Sequence, residues 1–242
     1  MIETKKQDRL IGILGGMGPE ATLDLYHHII SLTPAKRDQD HIRVLIYSNP
    51  KIPNRTEAIA GNGESPLSYL IESAKLLERG GAGVIAIPCN ASHHFLPEIQ
   101  AQVNIPILDM IAATCARLSE LLPGVKAAGL IATLGTIQSG VYHKVLSRAG
   151  IELLTPDEGD QRAVQAGIAR VKAGEHNRST GEVFHSVGRR LVKAGANAVI
   201  LGCTEVPLVF NPGEVDYVSL NSTRILAEAA VSWALGKEYI RR

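Results

Sequence analysis

Two short segments, Ile87-Pro88-Cys89-Asn90-Ala91-Ser92-His93 and Leu201-Gly202-Cys203-Thr204-Glu205, each place a cysteine at the end of an apolar, β-prone run. Laying Cys89 on Cys203, an offset of 114 residues, also brings Leu77 onto Leu191, Gly81 onto Gly195 and Ala82 onto Ala196. A similar offset of 117 carries Gly12-Ile13-Leu14 onto Gly129-Leu130-Ile131. Self-similarity of this kind restricts a fold more than any single motif, because each copy must build the same supersecondary unit. The chain therefore reads as two copies of one α/β unit, with one thiol in each.

Periodicity supplies the elements of that unit. Residues 10–14 read as a strand, followed by a glycine turn and a helix over 19–32, in which Leu25, Ile29 and Leu32 recur at helical spacing. A second strand covers 44–47, and residues 48–64 form a polar loop rich in Pro, Asn and Gly, long enough to be functional. Ser65 caps a helix that opens on Pro66 and ends at Gly80-Gly81, and strand 84–87 delivers Cys89 at its C-terminal end. A helix over 95–103, a strand-like 106–108 and a helix over 111–122 follow, with Pro123-Gly124 closing the repeat. The second copy runs as strand 127–132, helix 139–149, strand 151–154, helices 161–172 and 180–193, strand 198–201 with Cys203, strand 215–220 and helix 222–235. Strands alternating with helices predict an α/β fold with parallel sheets covered on both faces. Ligands gather at the carboxyl ends of such strands, where both cysteines are expected. The division expected from this pattern is residues 1–112 plus 212–242 as a first lobe carrying Cys89, and 113–211 as a second lobe carrying Cys203.

Composition excludes several partners. The 242 residues are 45% hydrophobic and 20% charged, with a net charge of +1 and no long run of either sign. That leaves no electrostatic footprint for nucleic acid or an anionic membrane. Residues 1–9 are charged and lack the apolar core of a secretory signal, Arg241-Arg242 is only a polar tail, and no stretch approaches about 20 uninterrupted apolar residues. A cytoplasmic address is expected, in which the three cysteines are free thiols.

Two facing thiols have a specific chemistry available to them. An unperturbed thiol titrates near about 8.5, and a helix N-terminus or a cation lowers that value, so one member of a pair can be thiolate while the other stays protonated. Placed on opposite sides of a carbon acid, the thiolate removes a proton from one face and the thiol supplies one to the other. The net result is inversion of a stereocentre. The helix expected after Cys89 would add the help of its dipole.

The segments Gly12-Ile13-Leu14-Gly15-Gly16-Met17-Gly18-Pro19-Glu20-Ala21-Thr22, Ile52-Pro53-Asn54-Arg55-Thr56, Pro88-Cys89-Asn90 with His93, and Gly202-Cys203-Thr204-Glu205 resemble the aspartate/glutamate racemase family. The resemblance runs from Gly12 to the final helix. It implies two pseudo-symmetric flavodoxin-like (Rossmann-like) lobes with an interlobe active-site cleft, a homodimer, an amino acid substrate and no cofactor. It assigns Cys89 and Cys203 as the acid/base thiols and sets Asn90 and Thr204 around the substrate α-carboxylate. Arg55 matches the arginine that contacts the side-chain carboxylate, Lys172 its lysine partner, and Met17, Asn49 and Ala91 fall at further substrate positions. A guanidinium suits that task because it grips a carboxylate through two parallel hydrogen bonds. The chain departs from the family pattern at Ala91 and Ser92, where a hydroxyl has moved by one residue, and at Asn54 and Asn221, which stand where Asp is usual.

Blander readings compete at several positions. Cys115, in mid-helix, reads as a small core hydrophobe. His93-His94 matches no established zinc spacing and reads as structural or hydrogen-bonding, so no metal is expected. The glycines of 12–18 fall as G-x-x-G-G-x-G without an acidic ribose partner, which suits a tight turn better than a dinucleotide site. Arg55 and Lys172 could each be solvated surface charges. Three functions remain: a two-base amino acid racemase without pyridoxal phosphate; a different reaction on the same scaffold, such as hydantoin racemisation, maleate isomerisation or malonate decarboxylation; and a two-lobed small-molecule binding protein. Two thiols disfavour a one-cysteine decarboxylase, and the Arg55 loop favours an amino diacid over a hydantoin.

Overall fold

The computed structural model describes residues 9–236; residues 1–8 of the charged N-terminal stretch and the Arg241-Arg242 end lie outside them. The first unit comprises β1 (Ile11–Gly15), α1 (Pro19–Leu32), β2 (Val44–Ser48), α2 (Arg55–Ile59), α3 (Leu67–Arg79), β3 (Val84–Ala86), α4 (Leu96–Gln100) and α5 (Met110–Leu121). The second comprises β4 (Ala127–Ile131), α6 (Leu134–Gln138), α7 (Val141–Arg148), β5 (Glu152–Leu154), α8 (Glu158–Lys172), α9 (Arg178–Lys193), β6 (Ala198–Leu201), β7 (Val218–Asn221) and α10 (Ser222–Ala234). The fold is α/β with two parallel sheets, ordered β2-β1-β3 and β5-β4-β6-β7. The repeat extends to the strand order, since the single parallel bridge Ile85 to Ile107 stands beside β3 where β7 stands beside β6.

Alternation along each strand explains why both faces are covered. Val84 and Ala86 of β3, with Ile11 and Ile13 of β1, pack against Leu25 and Ile29 of α1 and Leu226, Ala227 and Ala230 of α10. Ile85 and Ile87 turn the other way, onto Leu70, Ala74 and Leu77 of α3 and Ile99 of α4. In the second sheet, Ala128, Leu130, Ala198 and Ile200 face Ile111, Cys115 and Leu118 of α5 and Tyr142 and Leu146 of α7. Ile131, Val199 and Leu201 face Val164 and Ile168 of α8 and Phe184, Val187 and Leu191 of α9. Strands buried on both sides carry apolar residues at every position, which is why these runs lack a polar alternation.

The helices that end the two units are exchanged. α5 follows the last pairing of the first sheet yet covers the second, whereas α10 follows β7 of the second sheet yet covers the first. Each is started by the residue that leaves the sheet: Asp109 Oδ1 accepts from the N–H of Ile111 and Ala112 at 2.9 Å, and Asn221 Oδ1 accepts from Thr223 and Arg224 at 2.9 and 3.1 Å. A neutral amide thus does at Asn221 the capping work of the usual acid. The expected division gives α10 to the first lobe and most of α5 to the second, and two details of the chain differ from it. Residues 218–221 of β7 pair in the second sheet rather than the first, and a boundary at 112 falls inside α5.

Smaller differences have local causes. The 48–64 segment is not all loop, because Asn54 Oδ1 accepts from Thr56 N–H at 3.0 Å and starts α2. The helix expected over 139–149 is α7, over 141–148, and the short α6 at 134–138 precedes it unannounced, the two divided by Gly140 with φ +67°. In place of a helix over 95–103, a 3-10 turn at Ala91–Phe95 leads into the one-turn α4, so no long helix points its N-terminus at Cys89. Among the described residues no helix is long and apolar enough to cross a membrane.

Candidate active site

β1, β3, β4 and β6 all deliver their C-terminal ends to one cleft between the lobes. The cleft holds a cavity of ≈ 330 Å³, partly open to solvent, lined by Met17, Arg55, Cys89, Asn90, Ala91, Lys172, Cys203 and Thr204 together with Asn54, Thr56, Thr133, Thr136, Gly202 and Glu205. Eight of the nine predicted site residues are therefore gathered here. The ninth, Asn49, is outside the lining; its Oδ1 accepts from Lys51 N–H at 3.0 Å, and its backbone lies against Gly16. Gly16 has φ +95°, and a Cβ there would fall 2.3 Å from the Asn49 carbonyl carbon, so the glycine-rich segment is a tight turn under the cleft.

The two thiols stand in unlike surroundings. Cys89 and Cys203 are both 6% exposed, one from each lobe. Cys203 Sγ donates to Glu205 Oε2 at 3.0 Å, and Glu205, itself 4% exposed, accepts at Oε1 from Gly18 N–H of the other lobe at 3.2 Å. Burial pushes the Cys203 thiol well above its ordinary value and the Glu205 carboxylate pushes it further, while Lys172 and the Glu205 main-chain N–H pull it down. Among the described residues no carboxylate is hydrogen-bonded to Cys89. Glu205 escaped assignment from sequence, although an acid inside the apolar run from Leu201 to Phe210 was a visible signal.

Cations close one side of the cavity. Arg55, the first residue of α2, donates from Nη1 to the carbonyls of Ile52 and Pro53 at 3.1 and 2.9 Å, which fixes the guanidinium against its own loop. Its Nε is buried without a hydrogen-bond partner. A buried N–H left without a partner is costly, and because Arg55 also lines the cavity, a carboxylate is the acceptor whose geometry suits its guanidinium. Lys172 ends α8 on the exposed rim.

A family model described as Asp/Glu/Hydantoin racemase matches residues 14–230. The chain belongs to that family. It is 31% identical to the broad specificity amino-acid racemase RacX of Bacillus subtilis (strain 168) over 227 residues, which cover 92% of this chain and 97% of that one. Picrophilus torridus aspartate racemase superposes with a TM-score of 0.84 at 32% identity, covering 96% of each chain. An aspartate racemase homologue from Pyrococcus horikoshii OT3 gives a TM-score of 0.76 at 27% identity, covering 94% of this chain and 99% of that one. Membership in this racemase family makes the protein an isomerase.

Where the chain departs from the family pattern, the displaced groups have other work. Ser92 is fully buried and its hydroxyl donates to Met17 Sδ at 3.3 Å, so the hydroxyl that moved from position 91 is not offered to the cavity, which meets the Ala91 methyl instead. His93 is held at both nitrogens: Nε2 accepts from Met110 N–H at 3.0 Å, so Nδ1 carries the proton directed at the Cys89 carbonyl at 3.0 Å. That arrangement ties the Cys89 turn to the start of α5 and leaves His93 no lone pair for a metal. The grouping Glu182, His185 and Glu214, two residues of α9 and one of the segment before β7, is not part of the cavity lining, and His185 Nε2 accepts from Asn211 N–H at 3.1 Å, which leaves Nδ1 a donor toward Glu182. Cys115 sits in the core of the second lobe, where burial raises its thiol to about 12.

Proposed function

We propose that this protein racemises an acidic amino acid, aspartate or glutamate, with Cys89 and Cys203 exchanging the Cα proton on opposite faces and without pyridoxal phosphate. The observation that carries the reading is the presence of two nearly buried thiols from opposite lobes on one cavity, beside a guanidinium with an orphaned N–H. In one direction the thiolate of one cysteine takes the Cα proton; the electron pair moves into the α-carboxylate, and the other cysteine returns a proton from the far side. Polar groups of Asn90 and Thr204 stand where that charge develops, and Arg55 with Lys172 holds the distal carboxylate. The hydroxyl of Thr204 is already directed at Pro88 O and Glu205 Oε2, at 3.3 and 3.4 Å, so its contribution to the substrate is its main chain.

A second reading, racemisation of a broader set of amino acids, is favoured by one observation. The Ala91 methyl puts an apolar wall where a hydroxyl is usual in the family, and the similar Bacillus subtilis protein carries a broad-specificity name. One experiment separates the two. Purified protein stripped of cofactors is incubated in deuterated water with each enantiomer of aspartate, glutamate and a panel of neutral and basic amino acids, followed by chiral separation and mass analysis. Inversion with gain of one α-deuterium is expected on the acidic pair, and its loss in both Cys89→Ser and Cys203→Ser. Inversion persisting in either variant refutes the two-thiol mechanism, and equal rates across the panel replace the acidic substrate with the broad one.

A further inference from the structure

Behind the cavity wall runs a chain of hydrogen bonds that joins the lobes. Tyr142 Oη donates to Asn90 Oδ1 at 2.7 Å, Asn90 Nδ2 donates to Ser222 Oγ at 3.2 Å, and Ser222 Oγ donates to Leu201 O at 2.8 Å. Tyr142, on α7, is 1% exposed; Ser222 opens α10 and is fully buried; and Leu201 lies two residues before Cys203. The direction of every bond follows from the last. A main-chain carbonyl can only accept, so the single Ser222 proton is directed to Leu201 O and Ser222 Oγ must accept from the Asn90 amide. The amide nitrogen is therefore the atom facing Ser222, its oxygen faces Tyr142, and the phenol must donate. Thr114, beside the phenol, has its own proton on Met110 O at 2.7 Å and does not compete as a donor.

Asn90 also lines the cavity, and with its oxygen held by Tyr142 and one amide hydrogen held by Ser222, the second N–H is left for a ligand. We infer that Tyr142 is a positioning residue for substrate recognition: it fixes the rotamer of the Asn90 amide so that the cleft meets a donor there and selects a carboxylate oxygen. Without the phenolic proton the amide oxygen has no donor, and Ser222 alone tells the two ends of the amide apart, so the group is held at one end only and its free N–H is no longer fixed toward the cleft. A completed network of this kind specifies one arrangement because each member is satisfied in only one orientation. The inference rests on the proposed role of Asn90 as a substrate contact.

Two measurements test it separately from that role. In Tyr142→Phe, which keeps the ring and its packing, solvent exchange of the Asn90 side-chain amide protons, assigned by their disappearance in Asn90→Ala, should speed up by about tenfold, the worth of roughly one hydrogen bond. Unchanged exchange overturns the inference whatever the enzyme's activity. Steady-state kinetics on the substrate that inverts should show kcat/KM falling about tenfold in Tyr142→Phe, mainly through KM, with no further fall when the same change is made in Asn90→Ala. An equal loss in both backgrounds makes Tyr142 a packing residue and overturns the inference. A wild-type protein that inverts nothing removes the proposed function instead, and the amide exchange still decides the orientation.

Discussion

Cys203 and Glu205 form a pair that Cys89 does not have, and the consequence is chemical. A thiol that is buried and hydrogen-bonded to a carboxylate stays protonated, so in the proposed reaction Cys203 enters as the acid unless Glu205 takes its proton, the thiolate then being favoured by Lys172. Replacing Glu205 with Gln keeps the shape and the Gly18 contact but removes the charge, and kcat/KM should fall about 100-fold, the scale of a positioned proton acceptor. The fall must be identical for both enantiomers, because they have equal free energy in water, whereas kcat and the substrate deuterium isotope effect should differ between directions. Identical kinetics in Glu205→Gln and wild type would discard the pairing. At this scale the sequence was legible where chemistry repeats. Cys89 and Cys203 announce themselves by residue type and by the duplication, and Arg55 by the family resemblance of its loop. Tyr142 was not legible, because an aromatic residue on the apolar face of a helix looks like core, and its hydroxyl acquires a role only when Asn90 arrives from 52 residues away.

The element that carries Arg55 is set by a neighbour in the other lobe. α2 has no buried residue of its own, and it rests across the cleft on α6, where a Cβ on Gly135 would stand 2.6 Å from the Cα of Thr56. Only a glycine at 135 lets the two short helices meet so closely. Gly135→Val should push α2 outward with its guanidinium, raising KM for a dicarboxylate by on the order of tenfold, since a displacement near 1 Å can cost up to about 100-fold. Wild-type KM in that variant would mean that α2 is positioned by its own loop alone. Element types in the two sheets were readable from runs of buried residues and glycine stops. The short elements were not: five residues of α2 among Pro, Asn and Gly give no period to detect, and the break between α6 and α7 depends on a left-handed Gly140.

At the scale of the whole molecule, stability carries the mark of its buried thiols. Cys115 is held up to about 12 from an ordinary 9.0, by burial first and then by Asp109, and burial acts in the same direction on Cys203 and Tyr142. Below pH 9 the thiol is protonated in both folded and unfolded chains; above it the unfolded chain loses a proton that the folded one keeps. Stability should therefore be fully present below about pH 9 and decline as the pH rises toward 12. Urea unfolding at a series of alkaline pH values should show a shallower decline in Cys115→Ala, and an unchanged slope would mean that Cys115 ionises freely in the folded chain. The duplication and the parallel sheets were visible in the unaligned sequence, and the cleft followed from the family resemblance. The expected division already crossed α5 and α10 between the lobes, but it carried β7 over with α10, because a short strand gives no sign in sequence of which sheet edge it joins; β7 pairs with β6 before the chain crosses back.

That exchange makes each half of the polypeptide an open object. Severed at the Pro123-Gly124 turn, one fragment would keep the sheet bearing Cys89 and a cover belonging to the other, and the second fragment the reverse. Each would show water a bare apolar floor that only its counterpart can roof, so the two pieces could become dry only by clasping one another. The clasp would reassemble the groove with both sulfurs in it.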